Sequence, residues 1–324
     1  MLVKHLSYLT ALARERHFGR AAEACNISQP ALSAALRQLE AELGVQIVER
    51  AQRFKGFTPE GQLVLDWAQR LVHDFDGLRQ DLTVLKRALA GRIRFGVIPA
   101  ALPTVSLLTA PFWKQHPAVT LHVVSLSSKE IQRGIDSFDL DLGFTYLDNE
   151  PLSRVKALPL YRERFVLIAP RGGATSLQYA GRGTMTWREA ARENLCLLWP
   201  DMQNRRIIDR VFESVGEKPK PVIETNSLLT LISHVKLGGW SSIVPQGLLL
   251  LIGNPSDLLM LPLVDPRPSY SVGLVYADRE PVPGLVRTFL ASARRQKLQQ
   301  RIEGAWKLGG EGAASEASGE DPGG

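Results

Sequence analysis

Gln29, Ser33 and Arg37 recur every fourth residue near the start of the chain, with Pro30 and Ala34 between them. On a helix, positions i, i+4 and i+8 share one side, so this spacing sets an amide, a hydroxyl and a guanidinium in a row. Each group has a partner on a nucleic-acid base edge: Arg pairs bidentately with guanine, Gln with adenine, and Ser reaches a base or a phosphate. A polar row of this kind is ordinarily a solvated face, so its meaning depends on the elements that would hold it.

Those elements are legible. Leu32, Leu36, Leu39 and Leu43 form a stripe roughly 120° away on the same helix, the side that would be buried. Ser28 suits the N-cap, Gln29 and Pro30 suit the first turn, where amides are unpaired anyway, and Gly44 suits the stop. Upstream, Leu2, Leu6, Leu9 and Ala13 make an amphipathic helix ending near Glu15, followed by a short helix, Arg20 to Ala24, and a turn, Cys25 to Ile27. Two helices joined by a three-residue turn make a helix-turn-helix, whose second helix enters the major groove. Downstream, Val45 to Val48 and Phe54 to Phe57 read as two short strands of a wing. Arg50, Arg53 and Lys55 would then lie beside the phosphate backbone.

The run HFGRAAEACNISQPALSAALRQLEAELGVQIVER, followed by FTPEG, resembles the N-terminal domain of the LysR-type transcriptional regulators. The matching features are Ala21 with Ala22, the run Ser28 to Ser33, Leu39 with Glu40, Leu43 with Gly44, and Thr58 with Gly61. Two departures stand out. Gly19 occupies a place where the family often has a capping Ser, and Ile47-Val48 replaces Leu-Phe; neither falls on the groove face. The resemblance extends to about residue 305 and implies a DNA-binding regulator. Its DNA contacts would be Ser28, Gln29, Pro30, Ser33, Arg37, Arg50, Arg53 and Lys55.

After Pro59 no proline occurs until Pro99, and apolar residues keep a seven-residue beat: Val64, Leu71, Leu78, Leu85, and Ala68, Phe75, Leu82, Leu89. Such a pattern is that of a coiled-coil seam, and a helix of about thirty residues would span roughly 45 Å. Gly77 is a small interruption. Exposing that seam would be unfavourable, so a second copy is expected, giving a dimer or tetramer. Dimerisation would set two recognition helices about 34 Å apart, in successive major grooves. In the resembling family this helix plays that part.

From Gly91 the pattern alternates between strand and helix. Arg92 to Ile98, Val119 to Ser125 and Asp139 to Tyr146 read as strands around helices Pro103 to His116 and Ser127 to Ile135. A second alternation takes in strands Phe165 to Ala169, Leu195 to Leu198, Val222 to Glu224 and Ser241 to Val244, with helices Trp187 to Ala191, Arg205 to Val215 and Leu228 to Leu237. Ser269 to Ala277 suggests a returning strand, and Leu285 to Lys307 a closing helix. The fold class is therefore α/β with an N-terminal all-α winged helix-turn-helix, a long linker helix and a two-lobed, periplasmic-binding-protein-like effector domain. The expected limits are 1–58, 59–90 and 91–307, with lobes 91–162 plus 267–307 and 163–266, and a disordered tail at 308–324.

Ligands of such sheets bind outside the carboxyl ends of strands. Several helix starts fall there: Pro99 to Thr104, Ser127 to Glu130, Met202 to Asn204 and Thr225 to Ser227. Their free amides favour a small anion, although Ser, Thr and Asn also cap helices everywhere. The family resemblance, which places effector contacts after the first strand and across the lobes, implies Ala100, Thr104, Ser128, Gln203 and Asn226. Trp240 and Ser241 replace a Gly and an Ile of the family pattern, and the indole is expected to narrow the cleft.

Composition removes most other classes. The 324 residues carry 39 Lys and Arg against 33 Asp and Glu, a formal +6, with 44% hydrophobic residues, which suits a cored protein of about two domains. No apolar run reaches the ~20 residues of a membrane helix, and no secretory leader is seen, so a cytoplasmic location is expected. With two cysteines, Cys25 and Cys196, neither a disulfide framework nor a thiolate metal site is expected. Six histidines lack metal-ligand spacing, and no Walker or GxGxxG loop occurs, so no cofactor or metal is expected. Two alternatives are weaker. A solute-binding protein would lack the DNA-binding segment, and an enzyme would need a nucleophile-base or metal constellation. The partners expected are operator DNA, a small anionic effector, further copies of the chain and RNA polymerase.

Overall fold

A computed structural model of the chain describes residues 2–49, 54–85, 89–253 and 256–305. Contacts divide it into two units, one running up to Gly91 with Asp136–Asp139 and Pro281–Arg287, the other comprising Arg92–Ile135, Leu140–Glu280 and the chain from Thr288 onward.

The first unit contains α1 (Leu2–Glu15), α2 (Phe18–Ala24), α3 (Gln29–Leu43) and α4 (Pro59–Leu85). Leu6, Leu9 and Leu12 of α1 meet Ala21 and Ala22 of α2 and Leu32, Leu36 and Leu39 of α3 in one core. Leu2 and Leu43, assigned to these stripes from the sequence, are exposed at the outer ends of their helices, and fully buried Ile47 helps close the core after the chain turns at left-handed Gly44. The helix α2 begins earlier than its apolar residues suggest. His17 Nδ1 accepts the amides of Gly19 at 3.1 Å and Arg20 at 3.3 Å, so the imidazole caps the helix and Gly19 lies within it.

Among the described residues the expected wing strands are represented by one bridge, Val48 to Phe57. Glu40 explains part of this: its carboxylate accepts the amide of Ile47 at 2.8 Å, the donor a ladder to Thr58 would use, as well as that of Val48 at 3.2 Å. Thr58 then accepts the Gly61 amide at 2.9 Å through its hydroxyl, opening α4. A Cβ on Gly61 would stand 2.0 Å from the Ile47 carbonyl oxygen, so the Thr-x-x-Gly pair combines a helix cap with a close backbone crossing. Leu65 and Ala68 bury one face of α4 in the core.

The second unit begins with β1 (Gly91–Val97), α5 (Leu102–Gln115), β2 (Val119–Ser125), α6 (Ser128–Asp136), β3 (Leu142–Tyr146), β4 (Val155–Glu163), β5 (Phe165–Pro170), α7 (Ala174–Gln178), β6 (Met185–Thr186) and α8 (Trp187–Ala190). It continues with β7 (Leu195–Leu198), α9 (Gln203–Ser214), β8 (Ile223–Thr225), α10 (Leu228–Gly238), β9 (Ser241–Pro245), α11 (Leu249–Ile252), β10 (Leu258–Val264), β11 (Tyr270–Ala277) and α12 (Gly284–Arg294). Tight 3-10 turns occupy Pro99–Ala101 and Gln246–Leu248. The strands form two sheets, ordered β2-β1-β3-β11-β4 and β6-β10-β5-β9-β7-β8. Phe95, Phe112, Phe144 and Phe289 pack together over the first. Cys196, Leu198, Leu231, Val235 and Val244 are among the buried residues that fill the second.

The chain passes between these sheets twice, at Arg164 between β4 and β5 and at residues 265–269 between β10 and β11. Neither β4 nor β10 was expected from the sequence. Pro159 interrupts β4 where the register to β11 shifts at Val272/Gly273, and a Cβ on Gly273 would lie 2.2 Å from the Leu158 carbonyl oxygen. The single closing helix expected to Lys307 is instead broken. The helix α12 ends at Arg294, Lys297 takes a φ of +48°, and helix resumes over 298–305. The proposed tail at 308–324 lies outside the described residues.

Candidate functional site

Ser28 accepts the Ala31 amide at 3.3 Å and so holds the start of α3, while its hydroxyl hydrogen remains available to donate. Gln29, Pro30 and Arg37 are exposed and Ser33 is half-buried, on the side of α3 away from Leu32, Leu36 and Leu39. No hydrogen bond or ion pair engages the Gln29 or Arg37 side chain among the described residues. An exposed, uncommitted guanidinium and amide on one helix face can meet base edges without first breaking an internal contact. Lys55 is exposed beside the wing bridge, and Arg50 and Arg53 lie outside the described residues.

The α4 stripe divides in two. Of the expected seam positions, Ala68 is fully buried and Val64 packs against the core of its own unit, because α4 lies against α1 there. Leu71, Phe75, Leu78 and Leu82 are 45%, 42%, 55% and 51% exposed, and Leu63 and Trp67 extend the same row toward the start of the helix. Leu89 lies beyond the end of the helix at Leu85.

In the second unit the sheets approach each other through a group of buried polar side chains. Glu163, the last residue of β4, is fully buried; its Oε1 accepts the amides of Gly247 at 3.2 Å and Arg164 at 3.3 Å, while Oε2 has no partner. Tyr161 lies two residues earlier on the same face of β4, and its buried hydroxyl also lacks a hydrogen bond. A Cβ on Gly247 would stand 2.9 Å from the Thr104 methyl, 3.3 Å from Glu163 Oε2 and 3.8 Å from Tyr161 Oη, so the four residues converge and only glycine fits. Burial, offset in part by the Gly247 amide, pushes the Glu163 carboxyl up to about 7. Burial first, and then the Glu163 charge, push the Tyr146 and Tyr161 phenols well above their ordinary range.

Two further bonds tie this group to α9. Thr145 donates to Gln203 Oε1 at 3.4 Å and Asn204 donates to the Tyr146 hydroxyl at 3.1 Å. The Gln203 Nε2 is buried without an acceptor, and the N-cap of α9, Met202, provides no side-chain cap. The neighbouring guanidiniums are already committed. Arg205 donates to Leu198 O, Glu224 and Asp209 at 2.7, 2.6 and 2.8 Å, and Arg206 donates to Glu150 at 2.9 Å.

Of the residues expected to contact an effector, Thr104 and Gln203 belong to this buried group, and the turn carrying Ala100 packs against the turn carrying Gly247. The Thr104 hydroxyl donates to Ala101 O at 2.9 Å. Ser128 is buried at the start of α6, but the reciprocal cap there is made by Ser127 with Glu130. Asn226 is exposed before α10, whose cap is Ser227. Trp240 does not narrow the cleft: left-handed Gly239 turns the chain, and the indole packs on the core of the second sheet. Tyr146, Tyr161, Glu163 and Gly247 were missed from the sequence. An inward-facing Tyr-x-Glu on β4 would have exposed the acid, had β4 itself been recognised.

Among the described residues no group of three or more His, Cys, Asp or Glu could hold a metal ion, and no helix is long and apolar enough to cross a membrane. A helix-turn-helix unit followed by a two-sheet α/β unit defines a one-component DNA-binding regulator. Residues 3–62 match the bacterial regulatory helix-turn-helix protein, lysR family, and residues 86–297 match the LysR substrate binding domain. The chain belongs to the LysR family of DNA-binding transcriptional regulators.

The DNA-binding transcriptional dual regulator OxyR of Escherichia coli is 28% identical over 305 residues, which cover 94% of this chain and 98% of that protein. A probable hydrogen peroxide-inducible genes activator of Mycobacterium xenopi is 34% identical over 168 residues, 52% of this chain and 88% of that one. The structure of a full-length OxyR variant from Pseudomonas aeruginosa superposes with a TM-score of 0.74 at 24% identity, covering 93% of this chain and 97% of that one. CbnR complexed with its target DNA gives a TM-score of 0.62 at 20% identity, covering 91% and 100%. Both structures share the fold.

Proposed function

We propose that this regulator reads operator DNA with the exposed face of α3 and answers to a small anionic metabolite held between the two sheets of its second unit. The observation that carries the first half is the pair Gln29 and Arg37, exposed and uncommitted on α3 beside its buried leucine stripe. Ser28, Pro30 and Ser33 would complete the base-facing row, and Lys55, with Arg50 and Arg53, would neutralise phosphates. The exposed row Leu71, Phe75, Leu78 and Leu82 supports pairing of α4 with a second copy, and dimers or tetramers would then place two copies of α3 in successive grooves. Such a protein acts in the cytoplasm beside RNA polymerase. The domain limits 1–58, 59–90 and 91–307 remain part of this reading.

For the effector, the supporting features are the uncapped start of α9, the unpaired Nε2 of Gln203 and the buried group Thr104, Tyr161 and Glu163. Free amides and an unpaired side-chain amide favour an anion; Ala100, Ser128 and Asn226 complete the set proposed from the sequence. Several relatives are named as hydrogen peroxide-inducible genes activators. A thiol sensor in this unit is not favoured, because its Cys196 is fully buried and burial pushes the thiol up to about 11, suppressing the reactive thiolate.

A gel shift on the DNA flanking the protein's own coding region tests the first half: a discrete complex that survives non-specific competitor is expected, and its absence would remove the reading. A thermal-shift screen of small carboxylates and inorganic anions tests the second. A stabilising anion should lose its effect in Gln203→Ala. Its affinity should also fall as pH rises through about 7, where Glu163 becomes a like-charged carboxylate. A neutral ligand insensitive to both changes would contradict the anionic assignment.

A further inference from the structure

The second unit contains a cavity of about 220 Å³ at the place where the chain crosses between its sheets. Arg164 is the first crossing, and Arg267 sits in the second. Both line the cavity, together with apolar Phe165, Pro262 and Leu263 and polar Gln246. Nearby guanidiniums have assigned partners: Arg162 donates to Ser269 Oγ at 2.7 Å and to Ser269 O at 2.6 Å, pinning the end of β4 to the second crossing. Among the described residues no hydrogen bond or ion pair engages the guanidinium of Arg164 or Arg267. Two exposed, uncommitted guanidiniums from separate crossings thus stand at one largely apolar pocket.

We propose that this cavity binds a small carboxylic acid with a compact apolar body, the carboxylate shared by Arg164 and Arg267 and the body set against Phe165 and Leu263. Guanidinium forks match carboxylates in both geometry and charge, whereas a neutral ligand would leave both cations unpaired. The volume lies below the ~300–1,000 Å³ of cavities for drug-sized ligands, so the acid is a small one. This site is separate from the one proposed at α9 and does not depend on it.

Its place gives it a regulatory reach. A ligand spanning Arg164 and Arg267 ties together the two segments about which the sheets would move, and shifts that equilibrium by its differential affinity for the two arrangements. The wall is also bonded to the buried acid: Arg164 donates its amide to Glu163 Oε1 at 3.3 Å, and Gln246 donates its amide to Arg164 O at 2.8 Å, one residue before Gly247, which itself donates to Glu163.

Calorimetric titration of the full-length protein with benzoate tests the proposal. Saturable binding is expected, at least tenfold weaker in Arg164→Gln and in Arg267→Gln and lost in the double variant. Benzyl alcohol should not bind, and sulfate should not compete at equal ionic strength. Because both arginines are exposed, the ligand-free variants should melt with the wild type. No benzoate binding, binding unchanged in the double variant, loss of binding in Gln203→Ala alone, or competition by sulfate would each overturn the assignment. Of these, only loss in Gln203→Ala would move the acid to the α9 site, which keeps the failure of this proposal distinct from failure of the cleft reading.

Discussion

On α3 the groups suited to DNA stand in water, and in the second unit the groups suited to a small molecule are buried with atoms unpaired. Gln29 and Arg37 lose nothing in the free protein, because solvent satisfies them. Tyr161 Oη, Glu163 Oε2 and Gln203 Nε2 have no such relief, and each buried unsatisfied group costs about 1–3 kcal/mol. The first face is therefore held by its scaffold without cost to its own polar groups, whereas the second sets polar groups where desolvation weighs on the fold itself. Mutations should separate the two: those on α3 change binding with little effect on folding, and those between the sheets change folding and its pH dependence.

The largest expected effect lies beneath the face proposed to bind DNA. Gly61→Ala would force a methyl into the Ile47 carbonyl, 2.0 Å away, and should destabilise the first unit by about 3 kcal/mol or more, read by chemical denaturation. If the variant kept wild-type stability, the close crossing of α4 over the wing would be wrong.

Glu163→Gln probes the buried group with an effect of similar size. In the unfolded chain the carboxyl ionises near 4.5 and in the folded protein near 7, so between these pH values the unfolded state binds fewer protons and stability falls as pH rises. That loss, about 3 kcal/mol in all, is complete above pH 7 and absent below pH 4. Glu163→Gln should remove it, making the variant more stable than wild type at pH 8 and no more stable at pH 4. Parallel pH profiles of thermal unfolding for the two proteins would show that the acid is not strained.

Smaller effects belong to the exposed face. Arg37→Ala should cost about 1–3 kcal/mol at the preferred operator and little on unrelated DNA, measured by fluorescence anisotropy with both duplexes. Lys55→Ala should weaken all sequences alike and reduce the slope of log affinity against log salt by about one. If Arg37→Ala behaved like Lys55→Ala, α3 would be positioning the protein instead of reading bases.

The difference between the two faces also explains what could be foreseen. The face of α3 rests on i, i+4 spacing, the Ser28 cap and the Gly44 stop, all local signals, and each has its place in the fold. The heptad beat on α4 was visible too, yet the sequence could not say that Ala68 would be taken by the core of its own unit while Leu71 to Leu82 stayed exposed. Likewise Trp240 looked like a cleft residue by alignment with a motif, and the left-handed turn at Gly239 put it elsewhere. The strand β4 was missed because Pro159 and a bulge blur its alternation, and with it went Tyr161 and Glu163.

By itself the sequence determined the family, the helix α3 with its outward polar groups, and the alternation that builds a two-sheet unit, because these follow from periodicities and caps spanning a few residues. Only the tertiary structure decided that Thr104, Glu163 and Gly247 would meet, that a carboxyl would be sealed there near neutral pH, and that two arginines from separate crossings would face one cavity. Desolvation and convergence depend on neighbours brought from distant parts of the chain, and no local pattern carries them.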